Sequence, residues 1–240
     1  MSVLYFLFTW VLYIPFLCIV TILVCIGIAI SIFIFHRERW AYLLGILWGK
    51  LLIRATLSKV VVYGRENIEK NGVYIFVANH QSLLDAPLIY GYLGKEMRWV
   101  MKKSISTIPF LGKACKFMGH IFVDRSNAIS IAKSLEDMSK AIEKGVSMML
   151  FPEGTRSMKN EIGHFKPGSF AIATELSIPI IPITIEGTYE VFSRNSKFLR
   201  GRKIIMTIHS PIETKGICKE GIPLLAKETR EIVLSSFHKN

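Results

Sequence analysis

Hydrophobic patterning divides this chain into two unlike parts. From Val3 to Phe35 apolar residues follow one another with no Lys, Arg, Asp or Glu among them. The run exceeds the ~20 apolar residues needed to cross a bilayer core, so it predicts a membrane helix. Pro15 is a place for a kink. His36-Arg37-Glu38-Arg39 closes the run, and Trp40 to Trp48 opens a second apolar helix that ends near Lys50 and Arg54. The first run is too long for a signal-peptide core, and it lacks both a basic leader and a small-residue cleavage site.

Beyond Leu57 the pattern changes to short β-branched and aromatic runs separated by helical ones. Strands are predicted at Val60–Tyr63, Val73–Ala78, Arg98–Met101, Ile121–Val123, Met148–Phe151, Ile180–Ile185 and Lys203–Ile208. Helices are predicted at Ala86–Tyr92, at Asn127–Lys144 and from Pro223. In the second of these Ile131, Leu135, Met138 and Ile142 share a face, and Gly145 stops it. The expected fold is therefore α/β, a largely parallel seven-stranded sheet covered by helices. Residues 1–57 precede it as a hydrophobic membrane-anchoring helical region, leaving 58–240 as the globular domain.

Charge sharpens this picture. The chain carries 30 Lys and Arg against 18 Asp and Glu, a net charge of +12, yet is 51% hydrophobic. A basic domain on an apolar anchor points to anionic partners at a membrane surface, such as acidic lipids or phosphorylated substrates. Nucleic acid fits poorly, because it leaves the anchor without a role. The basic end of the first helix places the domain on the cytoplasmic face of the cell membrane or another membrane. Cys18, Cys25, Cys115 and Cys218 have no metal or redox spacing, so free thiols and no metal site are expected.

The candidate chemistry begins where the second strand ends, in Asn79-His80-Gln81-Ser82-Leu83-Leu84-Asp85. A His near its ordinary pKa of ~6.5 accepts a proton at pH 7, and a carboxylate on its other nitrogen fixes the tautomer. Five residues of one helix would separate the two side chains, so they meet only if the chain turns between them. A structural alternative exists: Ser82-x-x-Asp85 is a capping box, and Pro87 suits a helix's first turn. Three more clusters fall at strand ends: Gly119 to Arg125, closing on Asp124-Arg125; Phe151-Pro152-Glu153-Gly154-Thr155-Arg156-Ser157; and Ile181-Pro182-Ile183. Ligands of open α/β sheets bind outside the carboxyl ends of strands, and arginine forks there match phosphate oxygens.

These four clusters, with Phe165-Lys166-Pro167-Gly168, resemble the motifs of the membrane-bound glycerolipid acyltransferases, and most closely those that acylate lysophosphatidic acid. The resemblance covers roughly residues 60 to 190, and Phe151 to Ser157 is its most specific part. It implies that His80 is the general base and Asp85 its orienting carboxylate. It assigns substrate binding to Asn79, Arg125, Glu153, Gly154, Thr155 and Arg156. The implied reaction transfers an acyl chain from a thioester of coenzyme A or acyl carrier protein to the sn-2 hydroxyl of 1-acyl-glycerol 3-phosphate, with no cofactor. Another lysolipid, such as a lyso-ornithine lipid, or glycerol 3-phosphate is an alternative acceptor. A non-catalytic module for anionic lipid is the alternative of another class. Lys102, Lys103, Lys113 and Lys116 form a basic run that suits a carrier protein, coenzyme A phosphates or anionic lipid alike.

Overall fold

The structure, a computed structural model, describes residues 2–124 and 126–238; Arg125 lies outside the described residues. Seven strands, β1 (Lys59–Tyr63), β2 (Ile75–Ala78), β3 (Met97–Lys102), β4 (Ile121–Val123), β5 (Ser147–Leu150), β6 (Ile180–Glu186) and β7 (Lys203–Ile208), form one sheet in the order β1-β7-β6-β2-β5-β3-β4. All neighbours are parallel except β6 and β7. Every strand predicted from the sequence is present, with ends shifted by a residue or two. The central strands β2, β5 and β6 are buried throughout, as a sheet covered on both faces requires.

Alternation along β2 shows how the layers divide. Phe76 and Ala78 point into one apolar cluster, which contains Leu88 and Ile89 of α4 (Asp85–Tyr92) and Ile53 of α3 (Glu38–Ala55). Ile75 and Val77 point into the other, with Met138 and Ile142 of α6 (Ala128–Glu143) and Leu225 and Val233 of a C-terminal helix, Ile222–Ser235. The Asn127 side chain caps α6 by accepting from Ser130 N at 3.1 Å. A short helix that periodicity did not show, Leu111–Phe117, fills the β3–β4 crossover. Two more, Ala171–Glu175 and Thr188–Phe192, flank β6. None reaches two and a half turns, too few residues for a repeating apolar face.

The N-terminal run forms one continuous helical rod. It comprises α1 (Ser2–Leu7), a π-helical segment Phe8–Tyr13 and α2 (Ile14–Phe33). Pro15 follows the π segment. Its ring would press on the carbonyl four residues back in a regular helix, and a wider turn just upstream relieves that contact. The 31 residues Val3–Phe33 would span roughly 46 Å as an α-helix, yet both ends touch the same domain. Near the start, Leu199 N donates to Thr9 Oγ1 at 2.8 Å and Trp10 Nε1 to Lys197 O at 3.1 Å. At the far end Phe33 packs edge-on against Phe117, 4.6 Å between centroids. The rod thus lies along the domain, with the other side of its apolar surface open. α3 packs beside it and crosses α4 at Gly49 and Gly91. A Cβ on Gly49 would sit 2.3 Å from Pro87 O, so only glycine allows this approach.

Candidate active site

β2 carries Ala78 to the sheet's carboxyl edge, and the chain turns through residues 79–84 before α4 begins at Asp85. That turn closes the five-residue gap. His80 Nδ1 lies 2.8 Å from Asp85 Oδ2. The same oxygen accepts Gln81 N at 2.7 Å and Ser82 N at 2.8 Å, while Ser82 Oγ accepts Leu84 N at 3.1 Å. Asp85 therefore does both things its position allows: it reaches back to Ser82 N as a capping box does, and it holds the imidazole. An oxygen already receiving two backbone N–H groups can take only a further donor, so Nδ1 bears the proton and Nε2 is left as the ring's acceptor nitrogen. Among the described residues Nε2 makes no hydrogen bond. His80 is 20% exposed and Asp85 fully buried, so the acceptor edge faces outward from a fixed carboxylate.

His80 is also fixed from the third strand-end cluster. Phe151, predicted to close β5, leaves the sheet one residue early and lays its ring flat under His80, 3.9 Å between centroids and 7° from parallel. The His80 backbone is gripped on both sides. Its N–H donates to Glu153 Oε1 at 2.7 Å, and its carbonyl accepts Ser157 N at 2.9 Å. Glu153 Oε2 in turn accepts Gly163 N at 2.8 Å. Between them Gly154, at φ +80°, makes the left-handed turn that bulkier residues resist, and Thr155 is exposed. Arg156 is half-buried; burial lowers its guanidinium pKa, the like charge of Arg194 adds to this, and Asp85 opposes it.

Two residues that the sequence reading put among the substrate-binding set are occupied otherwise. Asn79 is fully buried, and its amide forms a closed pair with one β6 residue: Nδ2 donates to Ile185 O and Oδ1 accepts Ile185 N, both at 2.8 Å. Glu153 gives both oxygens to backbone N–H groups. Each braces the loops, because its polar atoms are already satisfied by main chain. Burial raises the Glu153 carboxyl pKa, and the hydrogen bonds from His80 and Gly163 lower it. Ser82 is likewise committed, its hydroxyl donating to Phe192 O at 2.6 Å.

Sequence reasoning did not reach the segment after β6. Ser193 bridges to Ser82, Tyr189 Oη donates to Met158 O at 3.3 Å, and Asn160 Nδ2 donates to Glu190 Oε1 at 2.6 Å. Gln81 Nε2 completes the tie, donating to Asn160 Oδ1 at 3.0 Å. These contacts bring Arg194 to the loops that carry His80 and Arg156. No local signal marks it, since its neighbours in space are far away in sequence. Among the ion pairs of the described residues, none engages Arg156 or Arg194.

Below Phe151 an aromatic column runs through Trp99 and Tyr90 to the buried His120. Trp99 N can only donate, so His120 Nδ1 accepts it at 3.3 Å, and Nε2–H donates to Tyr90 Oη at 2.6 Å. Burial, helped by the Arg98 charge, lowers the His120 pKa to about 3. The unfolded chain therefore takes up this proton near pH ~6.5 while the folded one resists it to far lower pH. Stability conferred by neutral His120 is full above pH ~6.5 and falls through the window down to about 3, by on the order of a few kcal/mol. In detergent, the denaturation midpoint should fall less between pH 7 and pH 4 for His120→Gln than for the unaltered chain. Equal slopes would show that His120 does not contribute.

The model of the acyltransferase family matches residues 59–186. A chloroplastic 1-acyl-sn-glycerol-3-phosphate acyltransferase of Brassica napus is 32% identical over 179 residues, covering 74% of this chain and 52% of the relative. The 1-acyl-sn-glycerol-3-phosphate acyltransferase of Saccharomyces cerevisiae is 33% identical over 175 residues, covering 72% and 57%. This chain thus spans about half the length of such curated relatives. The crystal structure of the 1-acyl-sn-glycerophosphate acyltransferase PlsC from Thermotoga maritima superposes over 100% of this chain and 99% of its own, with TM-score 0.81 and 28% identity. The chain belongs to the acyltransferase family.

Proposed function

We propose that this protein transfers an acyl chain from a thioester to the sn-2 hydroxyl of 1-acyl-sn-glycerol 3-phosphate, forming phosphatidic acid. The observation that carries the reading is the grip of the Arg156 loop on the backbone of His80, which ties a phosphate-binding group to a base with an open Nε2. Nε2 takes the hydroxyl proton as that oxygen attacks the thioester carbonyl carbon. The tetrahedral intermediate collapses, the C–S bond breaks, and the proton passes from the imidazolium to the departing thiolate. The protein supplies position and a fixed base, and a bound hydroxyl exchanges a slow bimolecular encounter for a local one. A thioester of either coenzyme A or acyl carrier protein satisfies this scheme. The acceptor's own acyl chain enters from the bilayer, where residues 1–57 hold residues 58–240 on the cytoplasmic face. The direct test measures thiol release by purified protein in vesicles, with lysophosphatidic acid beside a panel of other lysolipids. Release with a neutral or ornithine lysolipid, and none with the phosphate, would refute the acceptor.

Arg156 and Arg194 form the phosphate-binding pair in this reading, and Arg125 precedes the α6 cap as a third candidate. A phosphate held between two unpaired guanidiniums receives charge-assisted hydrogen bonds from both. Arg156→Ala is expected to raise the KM for lysophosphatidic acid ~10-fold or more, consistent with the loss of one such bond, and to leave the thioester KM nearly unchanged. Arg194→Ala should do the same more weakly, because its side chain is exposed, and Arg194→Lys should recover part of the loss. If either alanine change moves only the thioester KM, that arginine serves the donor instead.

A further inference from the structure

The crossover between β3 and β4 carries a feature that the proposed reaction does not use. Leu111 N donates to Pro109 O at 2.7 Å, and Phe110 between them sits at φ 61°, ψ −57°. This is the rare, strained form of the three-residue γ-turn, held by a residue with a side chain at positive φ, where glycine is favoured. The Phe110 ring is 51% exposed and Ile108 beside it 45%. Among the described residues no aromatic ring packs on Phe110. Strain is thus maintained to present an apolar side chain at the surface, the reverse of what folding in water selects.

The surroundings say what covers it. The turn leads directly into the helix Leu111–Phe117, whose last residue packs edge-on against Phe33 at the end of the apolar rod. Just after Phe33 in the chain Ile34, Phe35 and Trp40 are exposed, so one short helix joins the turn to the part of the rod whose surface is open and apolar. Exposed Lys102, Lys113 and Lys116 flank it; Lys103, also exposed, is 3.4 Å from Asp124. Protruding apolar side chains with exposed lysines on either side in the chain, joined to a membrane helix, fit an anionic leaflet: the rings reach the acyl region and the ammonium groups meet phosphates. A carrier protein or a nucleotide offers charge to the lysines but nothing to Ile108 and Phe110.

We propose that the Ile108–Phe110 turn is a membrane-seating wedge, entering an anionic leaflet while the neighbouring lysines hold its headgroups. The proposal rests on immersion of the N-terminal rod and not on the acyl-transfer reading. It is tested in the full chain, with the four cysteines replaced and one fluorescent probe placed by Phe110→Cys, Leu23→Cys or Ile129→Cys. Leu23 is 62% exposed on the rod, and Ile129 is 81% exposed on α6, in the opposite layer of the sheet. In phosphatidylcholine vesicles containing phosphatidylglycerol, the probes at 23 and 110 should shift to the blue and be quenched by spin-labelled lipid. The probe at 129 should not, and replacing Lys102, Lys113 and Lys116 by Gln should remove the response at 110 alone. A lipid response at 23 with none at 110 overturns the wedge, and so does a response at 110 to acyl carrier protein instead of lipid. No response at 23 overturns the rod's immersion, and the wedge with it. A second measurement needs no cysteine replacement. Phe110→Gly relieves the turn, so the melting temperature should rise while the three lysines' dependence on anionic lipid weakens. A fall in melting temperature would show that the ring is packed for stability, against the proposal.

Discussion

Replacing His80 by Ala should lower kcat by ~10²–10⁴, the range expected when a positioned general base is lost. The fold should survive. The imidazole adds one hydrogen bond to Asp85 Oδ2 and one stacked face to Phe151, whereas the loop itself is held by main-chain bonds to Glu153 and from Ser157 that Ala keeps. The KM for lysophosphatidic acid should change little, since no group that binds phosphate has moved. Nor should a covalent intermediate take over. The buried Cys115 has a thiol pKa pushed up to about 12, chiefly by burial, and Ser82 donates its hydroxyl to Phe192 O. Thioester mixed with the enzyme alone should therefore release no stoichiometric burst of thiol. Activity within tenfold of the unaltered enzyme, or a burst with an acyl adduct on the chain, would refute direct transfer with His80 as base.

Asp85 should separate catalysis from folding. All its hydrogen bonds converge on Oδ2, and Oδ1 has no partner among the described residues. An Asn can place its carbonyl at the Oδ2 position and keep the N–H groups of Gln81 and Ser82, with its NH2 where Oδ1 lay. Asp85→Asn then keeps the loop but removes the charge that stabilises the imidazolium, so kcat should fall by ~10² or more, with a stability loss smaller than that of Ala, set by its NH2 lying buried where Oδ1 has no partner. Asp85→Ala leaves both N–H groups buried without an acceptor, at ~1–3 kcal/mol each. It should lose several kcal/mol of stability as well as activity. Measuring kcat beside the denaturation midpoint checks both. If the Asn variant keeps full activity, the carboxylate's charge is not needed; if it unfolds like the Ala variant, the loop depends on more than Oδ2.

How far the site could be read in advance depended on where each residue's partners lie. His80 and Asp85 are five apart, and the turn joining them is local, so turn and cap could both be read from one heptapeptide following a strand. An acid beside Gly154 and Arg156, such as Glu153, carries the same local signal whether it faces substrate or main chain. Its partner, His80 N, is 73 positions away. Asn79 has its partner, Ile185, 106 positions away. Arg194 had no signal at all.

The sequence by itself determined the elements. A charge-free apolar run, β-branched runs of strand length and one amphipathic helix each act within a short window, where backbone propensity and side-chain periodicity suffice. Tertiary structure alone decided the rest: the strand order, the reversed pairing of β6 with β7, and the helical rod lying along the domain with both its ends in contact. It also decided that Phe151 leaves its strand to support His80, and that Phe110 is held outward against its own backbone preference. Such outcomes are set by which apolar faces cover one another and which buried polar groups find partners. That balance is struck over the whole chain at once, and no window of neighbouring residues contains it.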